Sequence, residues 1–236
     1  SDTMRTMIAA AACLAAGCAD AGASARAAAS SGAVPAGTAA PAVRGFVTYG
    51  REGPLLRPCG HELEMAVGDS TGGVLPALYA RLSGGEGPVF MELRGAAIPL
   101  ADSAGEPPVS LVAREVRYAA PVMDARGCDD GLEAVEIRAG GADPRWSVSV
   151  APGGITVARP GDGARIGLPY APPARDGGAL VYTAGGGGHL LELLVAERPC
   201  RDAEGAWSAL SARAVLDGRV LRGCARQGGL PVRSRD

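Results

Sequence analysis

A chain of 236 residues with 47% hydrophobic side chains has enough length and apolar content for one larger or two small packed domains, which excludes general disorder. Twenty-three basic residues stand against 25 acidic ones for a formal net charge of -2, and because lysine and asparagine are absent, arginine carries all the positive charge. No basic stripe is available to neutralise phosphates, so a nucleic-acid partner is excluded.

Residues 4–20 read MRTMIAAAACLAAGCAD: one arginine, an apolar run, then small residues leading to a cysteine. That order is expected of a bacterial secretion signal ending in a lipobox, Leu14-Ala15-Ala16-Gly17 before Cys18, with Cys18 as the lipidation site and 1–18 as signal peptide and lipobox. The apolar run Met7 to Ala16 falls well short of the ~20 residues that span a bilayer, so the segment reads as an address and not as a permanent helix. The alternative is an ordinary Ala-x-Ala cleavage that yields a soluble periplasmic protein. Residues 19–42, almost all Ala, Gly, Ser, Thr and Pro, predict a flexible tether.

Strand-like residues begin at Val43. VRGFVTYG (43–50), GPLLRPC (53–59) and ELEMAV (62–67) predict three short antiparallel strands. A helix follows in GGVLPALYARL, where Val74, Leu75, Leu78 and Leu82 recur at helical spacing between glycine pairs. GPVFMELRGAAI (87–98) and VSLVAREVRYA (109–119) complete the order strand, strand, strand, helix, strand, strand, that of an OB-type barrel over 43–128. Beyond Cys128 about eight short strands alternate with turns such as PGG, PGDG, PPARDGG and GGGG, predicting a small antiparallel β-barrel or sandwich over 131–226 and a frayed tail over 227–236. The fold class is mainly β.

Apart from Cys13 and Cys18, four cysteines remain, and four can pair in three ways. Their distribution points to Cys59 with Cys128 and Cys200 with Cys224, one bridge in each half.

Arg44-Gly45-Phe46 opening a strand that ends near Tyr49, Pro58-Cys59-Gly60, the Leu75 to Tyr79 helix and Pro88-Val89 leading to Gly95 together resemble the C-terminal OB-type domain of the NlpE envelope lipoproteins. That family is associated with copper tolerance and with signalling envelope stress and surface contact. The resemblance covers about residues 44–128 and implies a bridge between Cys59 and a cysteine closing the domain, in support of Cys128. Ala19 rather than aspartate after Cys18 resembles lipoproteins sorted to the outer membrane. The second half is similar to a domain of proteobacterial envelope proteins in Pro144-Arg145-Trp146, Pro169-Tyr170, Cys200-Arg201-Asp202 and Gly223-Cys224, with Ala142-Asp143 where Asn-Glu is usual. It implies a fold and a location but no reaction.

Catalytic chemistry is poorly supplied. His61 and His189 lie in no nucleophile or metal motif, Ser70 lacks a Gly-x-Ser-x-Gly elbow, and Gly185 to Gly188 lacks the lysine of a phosphate loop. Cys59, His61, Glu62 and Met65 form the one dense donor set, and a bridge at Cys59 would remove its thiolate. The expectation is a non-enzymatic outer-membrane lipoprotein on the periplasmic side, with no cofactor or metal, held to the membrane by a lipid anchor and engaging an envelope protein as an interaction or stress-reporting module. The alternative is a binder of a small molecule or metal ion in the C-terminal barrel, with Trp146, Tyr170, Trp207 and Asp202 as candidate ligand residues.

Overall fold

The computed structural model describes residues 42–85, 87–99, 109–122 and 127–234. The expected signal, Cys18 and the tether as far as residue 41 lie outside them.

Two β bodies follow in chain order. The first contains β1 (Val43–Gly50), β2 (Gly53–Pro58), β3 (Met65–Asp69), α1 (Val74–Leu82), β4 (Val89–Pro99) and β5 (Val109–Pro121). β1 pairs with both β2 and β4, β2 with β3, β3 in parallel with β5, and β5 with β4, so five strands close on themselves. Closure removes the unpaired edges that an open sheet of this size would expose. The β4–β5 pairing is irregular in β4, where the register shifts at Glu92/Leu93 and again at Arg94/Gly95. Gly95 is required there, because a Cβ would sit 2.0 Å from the Val112 carbonyl oxygen.

Helix α1 plugs the barrel. Gly72 and Gly73 turn the chain with left-handed φ values of 68° and 87°. The Thr71 hydroxyl then accepts the Leu75 N–H at 3.0 Å, supplying the cap that Gly73 lacks. Leu75 and Leu78 enter a core of Val47, Leu56, Val67, Met91, Leu93 and Leu111. Pro76 is tolerated because it lies in the first turn, where its missing N–H would have had no helical partner.

After a single 3-10 turn at Leu132–Ala134, the second body comprises β6 (Ile137–Ala142), β7 (Arg145–Ala151), β8 (Gly154–Ala158), β9 (Arg165–Leu168), β10 (Ala174–Asp176), β11 (Ala179–Gly186), β12 (His189–Ala196), β15 (Leu210–Leu216) and β16 (Arg219–Gln227). They form one antiparallel sheet in the order β10-β11-β12-β15-β16-β6-β7-β8-β9, curled into a half-barrel. Strict alternation in β7 (Trp146, Val148, Val150 inward) and β15 (Leu210, Ala212, Ala214, Leu216 inward) gives the concave face its apolar core. The glycine run ends β11, with Gly187 and Gly188 at φ 59° and 82° forming a tight hairpin turn.

Three departures from the sequence reading are informative. The Ala174–Asp176 part of the PPARDGG segment, expected as turn, is the edge strand β10. The segment Cys200–Ser208 was expected in the second body. Instead β13 (Cys200–Arg201) and β14 (Trp207–Ser208) form a hairpin added to the first sheet, with Trp207 opposite Ala119 and Ser208 opposite Tyr118. This hairpin covers the β5 edge, and Trp207 packs on the barrel core. The tail expected to fray past 227 is a strap: Gly228, Gly229 and Leu230 N–H groups donate to the carbonyls of Glu136, Leu132 and Val135 at 2.8, 2.8 and 3.1 Å. Val232 packs on the half-barrel core and Arg175 donates to the Ser234 hydroxyl at 3.1 Å. Glycine at 228 lets the chain approach, since a Cβ would lie 2.0 Å from the Val135 oxygen.

Two disulfides brace the fold, Cys59–Cys128 and Cys200–Cys224. The first closes the barrel segment beside Phe46, Phe90 and Tyr118; the second ties the β13–β14 hairpin to β16.

Candidate functional site

A groove of about 630 Å³ lies against the outer face of the β6–β7 hairpin. In β6 and β7 the inward positions are Ile137, Ala139, Trp146 and Val148, so Arg138, Gly140, Ala142, Arg145 and Ser147 face outward. Gly140 opposes Ser147, and Ser147 opposes Ala158 on β8, making a floor of small residues. One wall is the β8–β9 turn with Arg159 and Asp162; the other is the β13–β14 hairpin with Asp202, Glu204 and Ala206. The closed end is made by Tyr118, Asp130 and Arg226.

That end is an alternating ionic cluster. Arg226 contacts Glu92 and, at 2.8 Å, Asp130; Arg44 contacts the same pair at 3.2 and 2.6 Å and also reaches the exposed Glu133. Glu92 is 4% exposed. The guanidinium of Arg226 lies 3.8 Å from the Tyr118 ring centroid, and that of Arg44 lies 5.7 Å from Phe90. Burial opposes the Arg226 charge, but Glu92, Tyr118 and Asp130 outweigh it and raise the guanidinium pKa further. Arg44 and Glu92 come from barrel strands, Asp130 from the connection and Arg226 from the second sheet, so the cluster joins the two bodies.

The remaining groove charges differ in how they are answered. Arg159 pairs with Asp162, which also accepts the Ala164 N–H at 3.0 Å. The Asp202 carboxylate accepts the Glu204 and Ala206 N–H groups at 3.0 and 2.9 Å, holding the hairpin turn. Arg138 donates to two neutral carbonyls, of Asp130 and Gly131. Arg145 is exposed and has no hydrogen-bond or ion-pair partner among the described residues.

Two of the four ligand candidates therefore reach this groove, Asp202 and Trp146. The indole is only 3% exposed and donates to the Arg222 carbonyl at 3.2 Å, against Gly141. Trp207 belongs to the barrel wall. Tyr170 lies elsewhere, with its hydroxyl 2.9 Å from Glu136. Glu136 is fully buried and is also approached by Tyr182 at 3.3 Å. Burial first, then this carboxylate, pushes the Tyr170 hydroxyl up to about 12, and the same two causes raise Tyr182. The half-barrel interior is filled by residues such as Val148, Ile155, Val157, Tyr182 and Leu193. The four candidates expected to line one site inside it are therefore not brought together.

Sequence reasoning missed Glu136, Arg138, Arg145 and Arg226. Glu136 sits in an apolar run whose alternation would place it outward, yet Val135, Glu136 and Ile137 are all buried: the Glu136 carboxylate meets the Tyr170 and Tyr182 hydroxyls, and the strap pairs with the Val135 and Glu136 carbonyls. Arg145 stands between Pro144 and Trp146, two residues already singled out in the sequence.

Of the soft-donor set, Cys59 is bridged, and among the described residues no three His, Cys, Asp or Glu side chains converge as a metal site. Ser70 is an exposed turn residue whose N–H donates to the Ala113 carbonyl. His189 pairs with Asp217 at 2.7 Å near two hairpin tips. Comparison with protein-family models, curated proteins and solved structures finds no match.

Proposed function

We propose that this chain is a non-enzymatic envelope lipoprotein, held by a lipidated Cys18 on the periplasmic side of the outer membrane, that acts as a protein-interaction or stress-reporting module. The observation that carries the reading is the pair of disulfides, one in the barrel and one at the groove wall. Such bridges persist in an oxidising compartment and not in a reducing cytosol. The Leu14–Cys18 motif, the Ala19 that follows it and the NlpE-like pattern of Arg44 to Cys128 supply the address and the kind of role. The groove supplies a surface for a partner.

Intact mass with and without reductant reports acylation and bridge count together. Crosslinking in intact cells, followed by capture from the outer-membrane fraction, is expected to recover a protein partner. A cytosolic chain with free thiols, or capture of no partner under several envelope stresses, counts against the proposal. A small-ligand reading has one observation in its favour, the groove itself, and a thermal shift on ligand addition is its test.

A further inference from the structure

We propose that the groove takes an extended acidic peptide segment, whose carboxylate side chains four residues apart pair with Arg138 and Arg145; this rests on the interaction-module reading and names its partner's chemistry.

Pairing, and not net charge, singles out an anion, because the lining holds four arginines (Arg138, Arg145, Arg159, Arg226) and four carboxylates (Asp130, Asp162, Asp202, Glu204) that are not all answered alike. Arg226 is answered by Glu92 and Asp130, and Arg159 by Asp162. On the acidic side, Asp202 and Glu204 are both engaged in interactions of their own. Two cations remain. Arg138 directs two of its five N–H donors to neutral carbonyls and forms no ion pair among the described residues, and Arg145 has no partner among them. A carboxylate can meet either guanidinium through two parallel hydrogen bonds.

Spacing fixes the form of the ligand. Arg145 pairs across the hairpin with Ala142, four residues along β6 from Arg138. At ~3.3 Å per residue the two arginines are thus about 13 Å apart along the strand, the separation of residues i and i+4 in another extended chain. Residues an even number apart also point to the same side, so both carboxylates can face the floor. Gly140, Ser147 and Ala158 present no bulk there and let a peptide backbone lie close. A glycan or a single-stranded nucleic acid would want an exposed aromatic platform, whereas Trp146 and Tyr118 are 3% and 6% exposed.

The test is fluorescence anisotropy of the full, disulfide-bonded chain with a short labelled peptide bearing two glutamates four residues apart in a Ser/Thr/Val background. Binding is expected, weakening as salt is raised. Replacing both glutamates by glutamine, or Arg145→Gln, lowers affinity about tenfold, and Arg145→Glu lowers it further. Arg145 is exposed, so these variants melt with the wild type. Arg213→Gln, at a residue outside the groove that pairs with Glu192, changes nothing. Equal affinity for the glutamine peptide, no effect of Arg145→Gln, or equally tight binding of a sulfated glycan of the same charge overturns the assignment. Capture from crosslinked envelopes separates the two levels. If Arg145→Gln still recovers the wild-type partner, the groove assignment falls and the module reading survives; if the wild type recovers none, the module reading falls while the peptide titration still judges the groove.

Discussion

Where the barrel meets the second sheet, Arg44 and Arg226 alternate with Glu92 and Asp130, whereas inside the half-barrel Glu136 is met by two tyrosine hydroxyls and, among the described residues, by no guanidinium within hydrogen-bond reach. The first arrangement neutralises charge with charge and is sensitive to the loss of any member. In the second, dipoles do the work, and each hydroxyl can be lost with a smaller consequence. Buried ionic clusters are costly to break because the survivor is stranded, even where wholesale apolar replacement is nearly neutral.

The comparison is broken most directly at Arg226. Arg226→Met removes one cation from two buried carboxylates and is expected to cost about 3–5 kcal/mol in urea denaturation. Replacing Arg44, Glu92, Asp130 and Arg226 together with apolar residues should recover much of that loss. If the single and quadruple variants are equally destabilised, the cluster contributes as packed volume and not as matched charge.

The disulfides come next. Their partners are 69 and 24 residues apart. On the loop-entropy model, Cys59→Ser with Cys128→Ser costs about 4 kcal/mol and Cys200→Ser with Cys224→Ser about 3 kcal/mol. Only the second pair should raise hydrogen exchange in the Cys200–Ser208 hairpin, because of the two bridges it is the one that joins that hairpin to β16. An equal response in the barrel strands would mean that the two bodies unfold as one.

These experiments also separate what was legible in the sequence from what was not. The barrel's element order could be read because Gly72-Gly73 and the leucine spacing of α1 are local signals, and the cysteines partition by position along the chain. Contacts between distant segments had no such signal: Arg44 and Arg226 look like two surface arginines until the fold brings them to one carboxylate pair. The β13–β14 hairpin was misassigned because two two-residue strands carry no period, and its register with β5 is set by tertiary pairing. The groove was half visible. Trp146 and Asp202 were singled out, but the arginines beside them read as ordinary charge in a chain whose only strong base is arginine.

A smaller effect is expected at the strap. Truncation after Gln227 removes three backbone hydrogen bonds and the Val232 contact, and should cost about 2 kcal/mol. The loss should be accompanied by faster exchange at Val135 to Ile137 while the barrel core is unaffected. No change in exchange there would return the tail to the frayed state expected from its sequence.

The smallest effect, and the most specific, belongs to Tyr170. Its hydroxyl donates to Glu136, and burial followed by that carboxylate raises its pKa to about 12 from an ordinary value of 10.0. A folded-state pKa raised above the unfolded one favours the protonated phenol in the native protein. Its contribution is therefore complete below about pH 10 and is lost as pH rises through about 12. Tyr170→Phe should cost about 1 kcal/mol near neutral pH, where the wild type keeps the bond, and the two proteins should converge in stability as the phenol ionises. Tyr182, also raised, keeps a residual slope in both. Stability curves that stay parallel across the alkaline range would mean that the Tyr170 hydroxyl is not held by the buried carboxylate, and the contrast between charge-matched and hydroxyl-matched burial would lose its second half.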